Sequence, residues 1–282
     1  METKQKYDMT IYPVKEDPDR AKYREVGYPL LQNSAVYGFV GARGSGKTNA
    51  MQNIFCRPHP FYGGKDDPVF DEIYIFSSTM GHDSTSRYMR QMENCGDERI
   101  FTEYDDGFMD AIVEEQKKYD DKKRPRVLII ADDIAGLTQG RGGRNAKLFT
   151  NPTLGRHFDI SSAFSVQKYS MLPPICRSQI EGLFIFRQNN SKEVMKMCEE
   201  LGSLGDPKMV ERLIYDATGN EPYQFCYMNL RDYTVWKNLD TLMWSKFNES
   251  GGYNPPYKNI GTNIGLDYQE DLNSEISEKN KI

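Results

Sequence analysis

The sequence predicts an α/β fold in which helices flank a mostly parallel central sheet. Short apolar runs alternate along the chain with segments of helical spacing, which is the order that strands and crossover helices follow in such sheets. Several runs are continuously apolar, as strands buried on both faces are. Charged residues make up 27% of the 282 residues, a fraction that is ordinary for a globular domain with a sizeable core.

The predicted elements follow from these runs and from the spacing of apolar residues. Strands are expected at residues 35–40, 72–77, 99–102, 127–131, 161–167, 182–187 and 223–228. Helices are expected where apolar residues recur every three to four positions, at residues 48–55, 84–94, 109–119, 145–156, 191–201 and 206–217. Loops rich in glycine, proline and charge separate them.

The chain is predicted to hold one domain with a polar extension at each end. Residues 1–33 are polar, contain three prolines, and are interpreted as an N-terminal arm. Residues 34–248 carry all the predicted elements and form the domain. Residues 249–282 are rich in glycine, asparagine and acidic residues, a composition that predicts a disordered tail.

Composition argues against several classes of protein. The apolar run Val127–Ala131 has five residues, whereas a membrane-spanning helix needs about 20, and no signal peptide is recognisable. The five cysteines are widely spaced, without a C-x-x-C pair, and the three histidines do not pair at metal-ligand spacing, so a zinc enzyme is not expected. A net charge of −5 does not indicate a basic DNA-binding module. We expect an intracellular protein with reduced thiols.

One segment matches a phosphate-binding loop in full. The pattern G-x-x-x-x-G-K-[ST] is formed by Gly41, Ala42, Arg43, Gly44, Ser45, Gly46, Lys47 and Thr48. Glycines let successive backbone N–H groups turn towards a phosphate, and the N-terminus of the following helix adds a favourable field. Lys47 is expected to reach the β- and γ-phosphates of a nucleotide, and the Thr48 hydroxyl to hold Mg²⁺.

Polar residues end two later strands. Asp132 and Asp133 follow the most apolar strand, at the edge where open α/β sheets bind ligands. We expect Asp132 to act through the water shell of the metal and Asp133 to act as the base that activates water. Gln167 ends another strand, where its amide can orient the attacking water and the γ-phosphate.

These motifs, taken in order, resemble the poxvirus-type genome-packaging ATPases of the FtsK–HerA superfamily, found in large DNA viruses and virophages. The likeness covers about residues 34–230 and includes Gly155-Arg156-His157 and the stretch Leu172–Ser178. It implies a RecA-like P-loop core with ATP and Mg²⁺ as ligands. It also implies a homo-oligomeric ring, pentameric or hexameric, that moves double-stranded DNA without reading its sequence. Capsid or portal proteins would be its partners, at assembly sites in the host cytoplasm or, as an alternative, in association with the virion, and not in a membrane.

The resemblance also implies an arginine supplied by the adjacent subunit, since an added guanidinium stabilises the transition state of phosphoryl transfer. Arg156 is the first candidate and Arg177 the second, while Arg43 would work within its own subunit. A glycine-flanked basic loop with Arg141, Arg144 and Lys147 is either a pore loop that contacts DNA phosphates or a flexible surface loop.

Two other classes remain open at the level of sequence. The chain could be a different P-loop protein, a GTPase or a small-molecule kinase, but no guanine-reading N/T-K-x-D stretch or arginine-rich lid is found. It could also be a nucleotide-gated structural subunit that does not hydrolyse. The intact Lys47, Asp132 and Asp133 argue against that alternative.

Overall fold

The computed structural model describes residues 29–31, 34–56, 69–78, 95–120, 123–133, 147–150, 152–219 and 221–246. Its strands are β1 (Val36–Val40), β2 (Glu72–Ser77), β3 (Ile100–Phe101), β4 (Val127–Asp132), β5 (Ile160–Val166), β6 (Gly182–Phe186), β7 (Phe225–Asn229), β8 (Thr234–Lys237) and β9 (Thr241–Ser245). Its α-helices are α1 (Lys47–Met51), α2 (Asp106–Gln116), α3 (Lys147–Thr150), α4 (Pro152–Gly155), α5 (Pro174–Arg177), α6 (Ser191–Glu200) and α7 (Pro207–Thr218).

The strands form a single sheet in the order β3-β2-β4-β5-β1-β6-β7-β8-β9. All pairings from β3 to β6 are parallel, and those from β6 to β9 are antiparallel. The predicted α/β class with a mostly parallel sheet is therefore confirmed. The strand that precedes the glycine loop, β1, is separated from the acidic strand β4 by β5 alone.

Apolar packing covers both faces of this sheet. Along β4, Val127, Ile129 and Ala131 belong to one core cluster, while Leu128 and Ile130 belong to the other. Because successive strand residues point to opposite faces, this division shows that both faces of β4 are buried. The continuous apolar run seen in the sequence has this arrangement as its physical cause.

Helices on one face carry the larger cluster, and the glycine-loop helix packs on the other. Buried residues of α2, α6 and α7 belong to the first cluster, whereas Met51 of α1 belongs to the second. Three helices begin at side-chain caps: Asp105, Asn190 and Asp206 each accept a hydrogen bond from a backbone N–H two residues later. Such caps satisfy N–H groups that lack a helical partner.

Several expectations differ from the structure. The helix expected at 48–55 is a short α1 followed by a π-helical turn over Gln52–Cys56, and the helix expected at 145–156 consists of α3 and α4. Strands β8 and β9 were not predicted, because short strands with mixed polarity carry no clear period. The helix expected at 84–94 and the tail at 249–282 lie outside the described residues.

The end of the N-terminal arm also needs correction. Leu30 and Leu31 are buried in the second core cluster, and the backbone oxygen of Pro29 accepts hydrogen bonds from Tyr227 and Asn229. Residues 29–31 are thus part of the domain, because two adjacent leucines gain free energy by covering the sheet. None of the described helices has the length and apolarity that crossing a bilayer requires.

Candidate nucleotide-binding site

The polar residues predicted from sequence meet at one edge of the sheet, where β1, β5 and β4 end. Val40 pairs with Val166, and Ala131 pairs with Phe164. The residues that follow these three strands therefore lie side by side at their carboxyl ends, the edge at which open α/β sheets bind ligands.

The glycine loop is anchored to its two neighbouring strands. The N–H of Gly41 donates to the carbonyl of Val166, and the N–H of Ala42 donates to the carbonyl of Arg187 just beyond β6. A Cβ at position 41 would lie 2.5 Å from Cβ of Phe186, so only glycine lets the chain pass so close to β6.

Two more glycines have backbone angles that suit few other residues. Gly44 has φ +74° and Gly46 has φ +100°, both in the left-handed region where a side chain is strained. Helix α1 begins directly after Gly46. The loop thus presents the free N–H groups of a helix start at the sheet edge, an arrangement suited to phosphate. Helix α1 has only five residues. The backbone of the loop, and not a long helix, therefore provides the fit to a phosphate.

Lys47 places its ammonium group inside the loop. Nζ donates to the carbonyls of Gly41 and Ala42, at 2.8 and 3.1 Å, and the residue is 9% exposed. Burial lowers the pKa of Lys47, while the nearby carboxylates of Asp132 and Asp133 act in the opposite direction. A cation held between carbonyl oxygens in a buried place is ready to move onto an incoming phosphate, which would offer a full negative charge instead.

Thr48 and Asp132 are already in contact. The Thr48 hydroxyl donates to Oδ2 of Asp132 at 2.7 Å, and Asp132 is only 6% exposed. A hydroxyl beside a carboxylate is an oxygen donor set of the kind that Mg²⁺ prefers. The buried hydroxyl oxygen of Ser45, in the same loop, has no hydrogen-bond partner among the described residues. These residues fit a magnesium–nucleotide complex.

Asp133 and Gln167 form the next part of the site. Nε2 of Gln167 lies 3.5 Å from Oδ1 of Asp133, at the upper limit for a hydrogen bond. Asp133 has φ +51°, which ends the strand alternation. Both aspartate side chains can therefore lie at the same edge of the sheet, Asp132 beside Thr48 and Asp133 beside Gln167. Aspartate is among the residues that tolerate this backbone region.

The three candidate arginines lie in different surroundings. Arg43 is exposed in the glycine loop. Arg156 is exposed but precedes β5, whose seven residues separate it from the carboxyl edge by about 20 Å. The structure does not bring Arg156 to the site of its own chain, so the predicted role requires a second subunit.

Arg177, the second candidate, is held by its own chain. It forms an ion pair with Glu200 at 2.8 Å and donates to the carbonyl of Leu172 at 2.7 Å, and its side chain is 12% exposed. Its guanidinium also lies 5.3 Å from the ring centre of Tyr169. A side chain with these contacts stabilises the region around α5 and is poorly placed to reach another subunit.

Of the predicted DNA-contacting residues, only Lys147 is described. Its ammonium lies 2.6 Å from Asp110 on α2, and its backbone N–H donates to Asp106. Lys147 is therefore engaged in an ion pair within its own chain, at the start of α3. Arg141 and Arg144 lie outside the described residues.

No motif in the sequence points to Tyr223, which lies next to the glycine loop in the structure. Tyr223 is 70% exposed, and its ring carbon Cδ1 would lie 3.1 Å from a Cβ at Gly46. The sequence predicts a strand that begins at Tyr223, but Tyr223 has φ +67° and precedes β7. A tyrosine within a short apolar run gives no signal that separates it from core residues.

Comparison with known families supports the resemblance seen in the motifs. The family model of the poxvirus A32 protein matches residues 97–217. This segment contains Asp132, Asp133, Arg156 and Gln167. It makes up somewhat less than half of the chain. The predicted likeness to poxvirus-type packaging ATPases is confirmed by this match. Comparison with curated protein sequences gave no match.

Solved structures show the same fold. The DNA-packaging ATPase B204 from Sulfolobus turreted icosahedral virus is 11% identical, with 73% of this chain and 97% of that chain covered and a TM-score of 0.50. The genome packaging NTPase B204 from Sulfolobus turreted icosahedral virus 2, in complex with sulfate, is 14% identical, with 73% and 96% covered and a TM-score of 0.50. At these identities, the likeness establishes the fold.

Proposed function

We infer that this chain is an ATPase of the poxvirus A32 packaging type, which hydrolyses ATP to move double-stranded viral DNA into a preformed capsid. One observation carries the inference: a phosphate loop whose Thr48 hydroxyl bonds Asp132 at 2.7 Å, in a chain whose central part matches that family.

The loop would hold the phosphates of ATP, and Thr48 with Asp132 would hold Mg²⁺. Backbone N–H groups between Gly41 and Lys47 would surround the β-phosphate, and Nζ of Lys47 would leave its two carbonyl partners for the β- and γ-phosphate oxygens. A Mg²⁺ ion held by Thr48 and Asp132 would supply positive charge that offsets the negative charge of the phosphates. The partly buried position of these groups strengthens their electrostatic effect.

Asp133 and Gln167 would act on the attacking water. The water oxygen bonds to the γ-phosphorus, the bond between that phosphorus and the β–γ bridging oxygen breaks, and ADP keeps the electron pair. Asp133 accepts the proton of the water and passes it to the released phosphate. The Gln167 amide, beside Asp133, orients the water, and positioning of this kind supplies much of the catalysis in phosphoryl transfer.

An arginine from a neighbouring subunit would complete the site. Arg156 remains the candidate, because it is exposed and lies at the opposite edge of the sheet from the site of its own chain. A ring in which the amino edge of one subunit meets the carboxyl edge of the next would bring the two together. Arg43, exposed in the loop, is the alternative that acts within one subunit.

DNA and capsid contacts are proposed from the family alone. The ring, pentameric or hexameric, would contact phosphates through the basic loop that contains Arg141 and Arg144, with no reading of sequence. Lys147 would contribute only after leaving Asp110, and an exposed pair of this kind is weak because solvent screens it. The motor would work with capsid or portal proteins at assembly sites in the host cytoplasm.

The first experiment measures ATP hydrolysis by the purified chain with and without linear double-stranded DNA. Lys47→Ala should abolish turnover, since it removes the cation that meets the phosphates. Lys118→Ala is the matched control, because Lys118 is 67% exposed and pairs with nearby Glu115. We expect turnover that rises with DNA, stays in Lys118→Ala and disappears in Lys47→Ala.

Other outcomes separate the alternatives. Turnover that DNA does not change in the presence of capsid proteins would favour a different P-loop enzyme. ATP binding without turnover under all these conditions would favour a nucleotide-gated structural subunit. Turnover that survives in Lys47→Ala would contradict the assignment of the site itself.

A further inference from the structure

A small cavity lies against the helix that follows the glycine loop. Its volume is about 250 Å³, just below the range of about 300–1,000 Å³ for sites that hold drug-sized molecules. One wall is a single face of α1 and the π-helical turn, with Gly46, Asn49 and Asn53. The facing wall includes Tyr223 and Phe225, at the start of β7. Since Gly46 belongs to both the cavity and the glycine loop, the cavity begins where the loop ends.

The chemistry of the cavity suits a flat, uncharged heterocycle. The described residues that line it are apolar, aromatic or amide-bearing, so a phosphate or a carboxylate would find no cationic side chain there. Its volume is too small for a whole nucleotide but is suited to one base. Tyr223 leaves 70% of its surface exposed, although burying a tyrosine ring is normally favourable.

The amides on the helix wall provide both kinds of hydrogen-bonding group. Nδ2 of Asn53 donates to the backbone oxygen and to Oδ1 of Asn49, at 2.7 and 3.1 Å. These bonds leave Oδ1 of Asn53 as an acceptor and Nδ2 of Asn49 as a donor. Adenine presents a donor, its N6 amino group, beside a ring-nitrogen acceptor, which a donor–acceptor pair of this kind can match.

We propose that Tyr223 is the base-stacking residue of the nucleotide site, with the purine base of ATP seated in this cavity and its edge towards Asn49 and Asn53. This rests on the proposed function, because it takes the phosphates to be held by the glycine loop. The ring of Tyr223 also lies against Gly46, so the stacked base continues directly from the loop that binds the phosphates. Tyr223 thus makes the site prefer a nucleotide over its bare polyphosphate.

The test compares binding of ATP with binding of tripolyphosphate, which lacks the base, by isothermal titration with magnesium present. Tyr223→Ala should weaken ATP binding by about 10-fold, the scale of an aromatic–base stack, and change tripolyphosphate binding by less than about twofold. Tyr223→Phe keeps the ring and should bind ATP nearly as the wild type does. Tyr215→Ala is the matched control, since Tyr215 is 45% exposed and does not line the cavity.

Three results would overturn the proposal. Tyr223→Ala could bind ATP as tightly as the wild type does, or it could lose ATP and tripolyphosphate equally, which would show that the ring merely supports the loop. A wild-type chain with no preference for ATP over tripolyphosphate would contradict it as well. Failure of the proposed function is distinguishable, because it appears as absent turnover while the binding preference and its dependence on Tyr223 persist.

Discussion

The hydrogen bond between Thr48 and Asp132 should stabilise the folded chain even in the absence of nucleotide. Thr48→Val replaces the hydroxyl by a methyl group of similar size and keeps the branch at Cβ, so helix propensity changes little. The substitution removes the donor that lies 2.7 Å from Oδ2 of Asp132. It leaves a carboxylate that is only 6% exposed with one partner fewer.

The size of the effect follows from burial and charge. A hydrogen bond to a charged group contributes about 1.5–3 kcal/mol, and a buried group that loses its partner shows the full cost. The neighbouring ammonium of Lys47 attracts Asp132 and offsets part of the loss. We therefore expect Thr48→Val to lower the free energy of unfolding by about 2 kcal/mol, or the melting temperature by about 4–8 °C.

Urea denaturation in the absence of nucleotide, followed by circular dichroism, measures this change. Thr48→Ser keeps the hydroxyl and should lose less than about 1 kcal/mol. Thr153→Val is the matched control, because its hydroxyl donates to the backbone oxygen of Thr150 at an exposed position. In the double variant with Asp132→Ala, which removes the acceptor, the two losses should not add, with a coupling of about 1–2 kcal/mol. A Thr48→Val change no larger than that of the control, or strictly additive losses, would refute the reasoning.

Three further predictions concern other parts of the molecule. Asp133→Asn should slow single-turnover ATP hydrolysis by about 10²–10⁴-fold, the range for loss of a general base, with ATP affinity by titration changed little; equal loss of both would point to a binding role. Gly155→Ala should lower the melting temperature by several degrees, since its Cβ would meet the carbonyl oxygen of Ile160; an unchanged melt would show that the turn yields freely. The five cysteines are buried, and burial raises the pKa of Cys95 and Cys176 to about 12. Labelling of the folded chain with Ellman's reagent should therefore be negligible and should not rise between pH 7 and pH 9, whereas rapid native labelling would contradict the burial.

A pattern visible in the sequence marks those residues whose role depends on their neighbours along the chain. The phosphate loop spans eight consecutive residues, and its purpose is to shape one turn of backbone, so its pattern is visible without the fold. The acidic pair was recognisable because a buried parallel strand is a continuous apolar run, and Asp132 and Asp133 end that run. Gln167 required knowledge that β5 ends at the same edge, which motif order suggested and strand pairing showed.

Contacts between residues that are far apart in the sequence could not be predicted. The sequence offered Arg156, Arg177 and Lys147 as free cations, since an arginine or a lysine in a polar stretch has no visible partner. In the folded chain, Arg177 and Lys147 have acidic partners 23 and 37 residues away. These pairs are not repeated patterns, so no period or motif reveals them.

The sequence by itself therefore determined the α/β class, the pattern of the glycine loop, the acidic pair and the resemblance to packaging ATPases, because each depends on residues that are adjacent or spaced along one element. The tertiary structure alone decided that β5 lies between β1 and β4, that Thr48 contacts Asp132 across 84 residues, and that Tyr223 faces Gly46. Contacts of this kind arise from strand order and from packing on the two faces of the sheet. These depend on the whole chain at once, and no local pattern encodes them.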